Sequence, residues 1–165
     1  MIHPPNIIDG LQKRTSGFDF LIGDWVVANR RLTAPLSGSD QWYETDATAS
    51  ATTLHNGAIS VDEMWYAELG FAGSSIRVHT AVDDGWTIYW VNSNTGHLQA
   101  PVTGTWSDDG ATFVATGPDE FEGTPILARY MWHSIRPDSA TWEQAFSVDQ
   151  GTTWETNWVM TWVRA

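Results

Sequence analysis

The chain has 165 residues, a length that predicts one domain with one sizeable core. Its 20 acidic and 8 basic residues give a formal charge of −12, which argues against nucleic acid as a partner, because such a surface repels phosphate backbones. The absence of cysteine excludes disulfides, thiol catalysis and cysteine-ligated metal, and no apolar run reaches the length of about 18 residues that a membrane span needs.

Residues 1–17 are predicted to form an arm ahead of one domain that covers residues 18–165. Pro4 and Pro5 favour an extended start, and residues 6–14 fit one short helix capped by Asn6. This segment lacks the basic region followed by an apolar region that marks a secretory signal, which favours a cytoplasmic protein.

From residue 24 onwards the chain alternates apolar and polar residues with the period of two that predicts β-strands. Asn56-Gly57 and a recurring Asp-x-Gly at 83–85, 108–110 and 149–151 predict tight turns between sequential antiparallel hairpins. Pro101 predicts an edge, a bulge or a break in its strand, and residues 117–125 are predicted to be an irregular acidic loop, either a lid or a surface loop. The predicted strands cover residues 24–32, 41–54, 58–67, 75–82, 86–91, 98–106, 111–116, 126–135, 140–148 and 153–163.

A sheet of this size has no predicted helices to cover it, so it must close on itself or fold into a sandwich. Closure removes the exposed edges. We therefore predict an all-β fold, an antiparallel up-and-down β-barrel of about 8–10 strands, whose interior is wide enough for side chains and one small ligand.

The sequence contains 11 Trp residues. Each aromatic side chain buries about 150–250 Å², and a core alone seldom uses so many. Some Trp residues are therefore predicted to line a cavity, where rigid rings with one polar edge suit a ligand. The alternative is that all of them belong to the core or to strand surfaces.

Two resemblances support the barrel. Gly23-Asp24-Trp25 on the first strand and Arg164 at the end of the last resemble the calycin arrangement, in which a basic residue from the final strand packs over a Gly-x-Trp tryptophan. Residues 18–25, 142–147 and 153–158 resemble motifs of uncharacterised bacterial proteins related to the DUF1579 group. The resemblance implies a lipocalin-like β-barrel and implies no particular chemistry.

If the Trp-bearing face of each strand points inward, one set of side chains lines the cavity, with Glu143 and Glu155 pointing outward. Arg129 would then orient an acidic or carbonyl ligand. The predicted ligand-binding residues are Trp42, Glu63, Trp65, Trp90, Arg129, Met131, His133, Trp142, Gln144 and Trp158.

Two functions fit this pattern. The first is binding of a small hydrophobic or aromatic molecule in a Trp-lined barrel cavity. The alternative is a cofactor-free isomerase, cyclase or lyase that acts on a hydrophobic substrate by acid–base catalysis, with Glu63, His79 and His133 as candidate catalytic residues.

No cofactor or metal is predicted, because the five His residues have none of the local spacings typical of metal ligands. A haem-binding barrel stays open as a minor alternative, with His79 or His133 as the proximal ligand. A homodimer is also possible, since apolar strand faces need covering.

Overall fold

The computed structural model describes residues 17–165, so the predicted N-terminal arm lies almost entirely outside the described residues. Within the described part, a single 3₁₀ turn at Asp19–Leu21 precedes ten β-strands, and no helix there is long and apolar enough to cross a membrane. The strands are β1 Gly23–Leu32, β2 Trp42–Leu54, β3 Ile59–Tyr66, β4 Phe71–Thr80, β5 Gly85–Asn92, β6 Val102–Trp106, β7 Phe113–Phe121, β8 Thr124–His133, β9 Ser139–Ser147 and β10 Glu155–Arg164.

Each strand pairs antiparallel with the strand before and after it, and β1 pairs with β10 to close the barrel. The closing ladder runs from Trp25↔Arg164 to Arg31↔Trp158. The predicted all-β, up-and-down, lipocalin-like barrel is confirmed, and its strand count lies at the upper end of the predicted range.

The predicted irregular loop at 117–125 is wrong. β7 continues to Phe121, and a tight turn at Glu122 and Gly123, both with positive φ (49° and 80°), leads directly into β8. Pro118 misled the prediction, since proline is rare inside central strands. The β6–β7 ladder ends at Thr103↔Thr116, so Pro118 lies where β7 has lost its β6 neighbour and one ladder hydrogen bond is not required.

Alternation along the strands divides the barrel into an inner and an outer face. On β2, Ala47, Ala49 and Ala51 are buried, whereas the residues between them are exposed. Directly opposed residues of neighbouring strands share a face, and Ala49 opposes both Trp25 and Met64. The small alanine side chains therefore leave room inside the barrel for larger groups from β1 and β3.

Candidate functional site

One end of the barrel, which we call the floor, is sealed by aromatic side chains around Phe18. The ring of Phe18 is fully buried, and its centre lies 4.8 Å from that of Trp86, 5.0 Å from Phe113 and 5.2 Å from Trp106. Edge-to-face pairs of this kind add stability beyond the buried area. The floor therefore closes the barrel with packed rings.

Arg164 fastens the 3₁₀ turn across the floor. Its guanidinium lies 3.9 Å from the centre of the Trp25 ring and donates hydrogen bonds to the carbonyl oxygens of Phe20 and Ile22. The indole Nε1 of Trp25 donates to the carbonyl oxygen of Leu21 at 2.7 Å. This is the packing of a C-terminal basic residue over a first-strand Trp that the calycin resemblance implied.

A cavity of about 440 Å³ fills the barrel above the floor. It reaches from Trp132 and Trp162 near the floor to the opposite end, which we call the mouth, where Tyr43 and Glu120 are exposed. At the mouth, Glu155 accepts a hydrogen bond from the backbone N–H of Leu36 at 2.7 Å and so anchors the loop between β1 and β2. Aromatic rings form much of the wall: Tyr66, Trp90, Phe121, Tyr130, Trp142, Phe146 and Trp158.

A partly buried arginine, Arg31, lies in the cavity wall on β1. Its Cζ lies 3.3 Å from the centre of the Trp158 ring and 5.4 Å from that of Tyr66. The indole of Trp158 is held in place because its Nε1 donates to Asn29 Oδ1 at 2.9 Å. Arg31 therefore stacks on a fixed ring at the cavity surface.

A buried ion pair, Asp62 on β3 and Arg77 on β4, forms another part of the wall. Both side chains are only 4% exposed. Asp62 also accepts from the backbone N–H of Ser75 at 3.2 Å, and Arg77 donates to Ser60 Oγ at 3.4 Å. Because each charge has a partner, this pair presents a nearly neutral polar patch to the cavity.

Two tyrosines in the wall, the buried Tyr66 and the partly buried Tyr130, are neutral at physiological pH. Burial raises the pKa of Tyr66, an effect that the nearby Arg31 partly offsets. Burial also raises the pKa of Tyr130 to about 12, and the charge of Asp119 adds to this rise. Both phenols therefore keep their O–H proton and can donate a hydrogen bond.

Four of the predicted ligand-binding residues line the cavity. These are Trp90 on β5, Trp142 and Gln144 on β9, and Trp158 on β10. Gln144 is oriented by donating from Nε2 to Asn157 Oδ1 at 2.9 Å. The structure thus brings together the residues that the sequence placed on the inner faces of the last two strands.

The other six predicted ligand-binding residues lie on the outer face. On β3 the inward residues are Asp62, Met64 and Tyr66, so the predicted face of this strand is reversed. The physical reason is the register with β2, because Met64 opposes the inward Ala49. The residues placed outside by β2 and β3 are Trp42, Glu63 and Trp65.

The face predicted for β8 is also reversed. Trp132 opposes Trp142 and Tyr130 opposes Gln144, so these two β8 residues point inward with their β9 partners. Outside the barrel, the Arg129 guanidinium lies 4.5 Å from the centre of the Trp154 ring. The β8 residues placed on the outer face are Arg129, Met131 and His133.

The three candidate catalytic residues do not meet in the cavity. Glu63 is exposed, and His133 Nε2 lies 3.1 Å from Glu143 Oε1 on the outer face. His79 is buried near the floor, with Nε2 2.8 Å from Asp84 and its ring 5.2 Å from that of Trp86. Their positions therefore give no support to the acid–base alternative.

No metal centre is formed by the part of the chain that the structure describes, since no three His, Asp or Glu side chains there are grouped to hold an ion. The cavity residues that the sequence interpretation missed include apolar ones such as Met64, Trp132 and Phe146, and a polar set: Arg31, Asp62, Tyr66, Arg77 and Tyr130. Arg31 had a usable signal, because it shares a strand face with the calycin-like Trp25.

Comparisons with known proteins identify no family. No protein-family model matches the chain, and no curated protein matches it. Among solved structures, the chain is similar to the S-type phycobiliprotein lyase CPES from Guillardia theta, with a TM-score of 0.49 and 12% identity over 88% of this chain and 89% of that chain. At this identity no activity or ligand transfers to the chain, and the resemblance to DUF1579-related proteins stays a prediction.

Proposed function

We propose that this protein binds a small hydrophobic or aromatic molecule inside the barrel. The observation that carries the proposal is the cavity of about 440 Å³, whose wall includes Trp90, Trp142 and Trp158. Ligand sites are typically concave, mostly apolar and equipped with a few polar groups that orient the ligand. Arg31 and Gln144 supply such groups here.

The proposal is tested by native mass spectrometry of the freshly purified protein, followed by solvent extraction. We expect a bound species of a few hundred daltons, a mass that matches ligands of cavities of this size. If no bound mass is found, and the neutral aromatic probe 9-anthracenemethanol does not bind either, the proposal is wrong.

A matched pair of variants locates the ligand. Trp142 lines the cavity and is 9% exposed, whereas Trp65 lies on the outer face and is 49% exposed. We expect Trp142→Leu to weaken binding of 9-anthracenemethanol by about tenfold, because a ring–ring contact of roughly 0.5–1.5 kcal/mol and wall area are lost. Trp65→Leu should leave the affinity unchanged. Equal effects of both substitutions would place the ligand elsewhere.

We also propose that a second copy of the chain packs on the outer face of β3, β4 and β5. Two cross-strand rows of residues on this outer face contain no charged side chain. The chain has a formal charge of −12, so two copies repel each other least where their surfaces are uncharged. The residues of these rows are partly exposed: Ile59, Val78 and Thr87, then Val61, Ile76 and Tyr89.

The same native mass spectrum tests this second proposal. We expect the mass of a dimer for the unmodified chain and of a monomer for Ile76→Lys, because a lysine in each copy would place charge in the contact. Thr116→Lys on the exposed outer face of β7 is the control and should keep the dimer. A monomeric unmodified chain contradicts the proposal.

A further inference from the structure

We infer that the ligand carries a carboxylate or a similar anionic group and that Arg31 binds this group, an inference that rests on the proposed binding function. Three other arginines already have ion-pair or hydrogen-bond partners in the structure. Arg77 pairs with Asp62, Arg30 pairs with Glu44 at 3.7 Å, and Arg164 binds backbone carbonyls at the floor. Among residues 17–165, no carboxylate lies within 4.0 Å of the Arg31 guanidinium.

The orientation of Arg31 suits an anion. With Cζ 3.3 Å from the centre of the Trp158 ring, the guanidinium stacks on the indole. Stacking occupies its flat face and leaves the N–H groups at its edge for a planar acceptor. A carboxylate matches this edge with two parallel hydrogen bonds.

Several hydrogen-bond donors on residues that line the cavity have no partner. Tyr66 keeps its phenolic proton, and the buried Nε atoms of Arg31 and Arg77 have no hydrogen-bond partner. Asn157 Nδ2 and Trp162 Nε1, on two further cavity-lining residues, also have none. Unpaired N–H dipoles beside the cavity favour a ligand with a negative group over one with a positive group.

The acidic residues of the cavity define where the anionic group lies. Asp119 and Glu120 are on β7, four strands from β1 around the barrel, and Glu120 is exposed at the mouth. Asp62 is neutralised by Arg77. A negative group on the ligand is therefore repelled by β7 and attracted to Arg31 on β1.

The test compares two probes of nearly equal shape, anthracene-9-carboxylate and neutral 9-anthracenemethanol. Their affinities are measured by quenching of the intrinsic Trp fluorescence. We expect the unmodified chain to bind the carboxylate more tightly than the alcohol, by about tenfold or more.

Arg31→Gln should weaken binding of the carboxylate by about 10- to 100-fold, because a charge-assisted pair is lost, while binding of the alcohol changes by no more than about twofold. The matched control is Arg30→Gln on the neighbouring, outward position, where the side chain is 54% exposed. This variant should bind both probes like the unmodified chain.

The outcomes separate the two proposals. If the unmodified chain binds the alcohol as tightly as the carboxylate, or if Arg31→Gln weakens both probes equally, the inference about the anion is wrong and the binding function stands. If neither probe binds, the binding function itself is contradicted.

A second variant covers the case in which Arg31→Gln does not fold. Arg31→Lys keeps the charge but loses the planar fork, so we expect the carboxylate to bind with an affinity between those of the unmodified chain and of the alcohol. Unchanged preference for the carboxylate in Arg31→Lys would contradict bidentate binding by Arg31.

Discussion

Replacing Trp25 with alanine is expected to lower the free energy of unfolding by about 3–5 kcal/mol. Trp25 is 1% exposed and its ring centre lies 5.9 Å from that of Trp162, so the substitution leaves a large void in the core. It also removes the ring on which the Arg164 guanidinium stacks and the hydrogen bond from Trp25 Nε1 to the carbonyl oxygen of Leu21. Both contacts hold the 3₁₀ turn over the floor.

Urea unfolding followed by far-ultraviolet circular dichroism measures this loss without relying on Trp fluorescence. Trp65→Ala is the control, because it deletes a ring of the same size from the outer face, where 49% of the residue is exposed. We expect a much smaller change for this variant. A loss below about 1 kcal/mol for Trp25→Ala would contradict the role of Trp25 at the floor.

The architecture was predictable because its determinants are local. Period-two alternation marks each strand, and turn residues such as Asn56-Gly57 adopt the positive φ values that tight hairpins require. Sequential hairpins leave few topologies for a sheet of this size, and closure is the one that removes its edges. Segment 117–125 was predicted wrongly where Pro118 lies beyond the end of a neighbouring ladder, and the predicted strand 75–82 is displaced, since β4 spans Phe71–Thr80.

The inner and outer faces of β3 and β8 were not predictable in the same way. Trp65 and Tyr66 are adjacent on β3, and either one could have been the inward aromatic residue. The face is decided by which residues of the neighbouring strand oppose it, as Trp142 does for Trp132. This register is a property of two strands together, and single-strand alternation does not contain it.

The positions of the polar cavity residues also depend on the register between neighbouring strands. Asp62 and Arg77 are 15 residues apart and meet because β3 and β4 pair in one register. Arg129 was predicted to orient an acidic or carbonyl ligand, but its guanidinium stacks on the Trp154 ring outside the barrel. Arg31 takes its place at the cavity because β1 keeps the inward face of Trp25 without a bulge.

Removing one member of the Asp62–Arg77 pair is expected to cost about 3–5 kcal/mol of stability, because the other member stays buried without its counter-charge. Both side chains are 4% exposed, so water does not replace the missing partner. We therefore expect Asp62→Leu and Arg77→Met each to lower the urea midpoint strongly. The control is Glu44→Gln, which breaks an ion pair whose side chains are 54% and 77% exposed and should cost no more than about 1 kcal/mol.

The double variant Asp62→Leu/Arg77→Met separates the charge effect from simple loss of packing. Replacing both members removes the unpaired charge, so we expect the double variant to be more stable than either single variant, even though Ser75 N–H loses its acceptor. A double-mutant cycle from urea midpoints gives the coupling directly. If the two single losses simply add in the double variant, the pair is not coupled, and the neutral patch we assign to the cavity wall is wrong. If the coupling is found, Arg31 is the cation that lines the cavity without a carboxylate within 4.0 Å, among the residues that the structure describes.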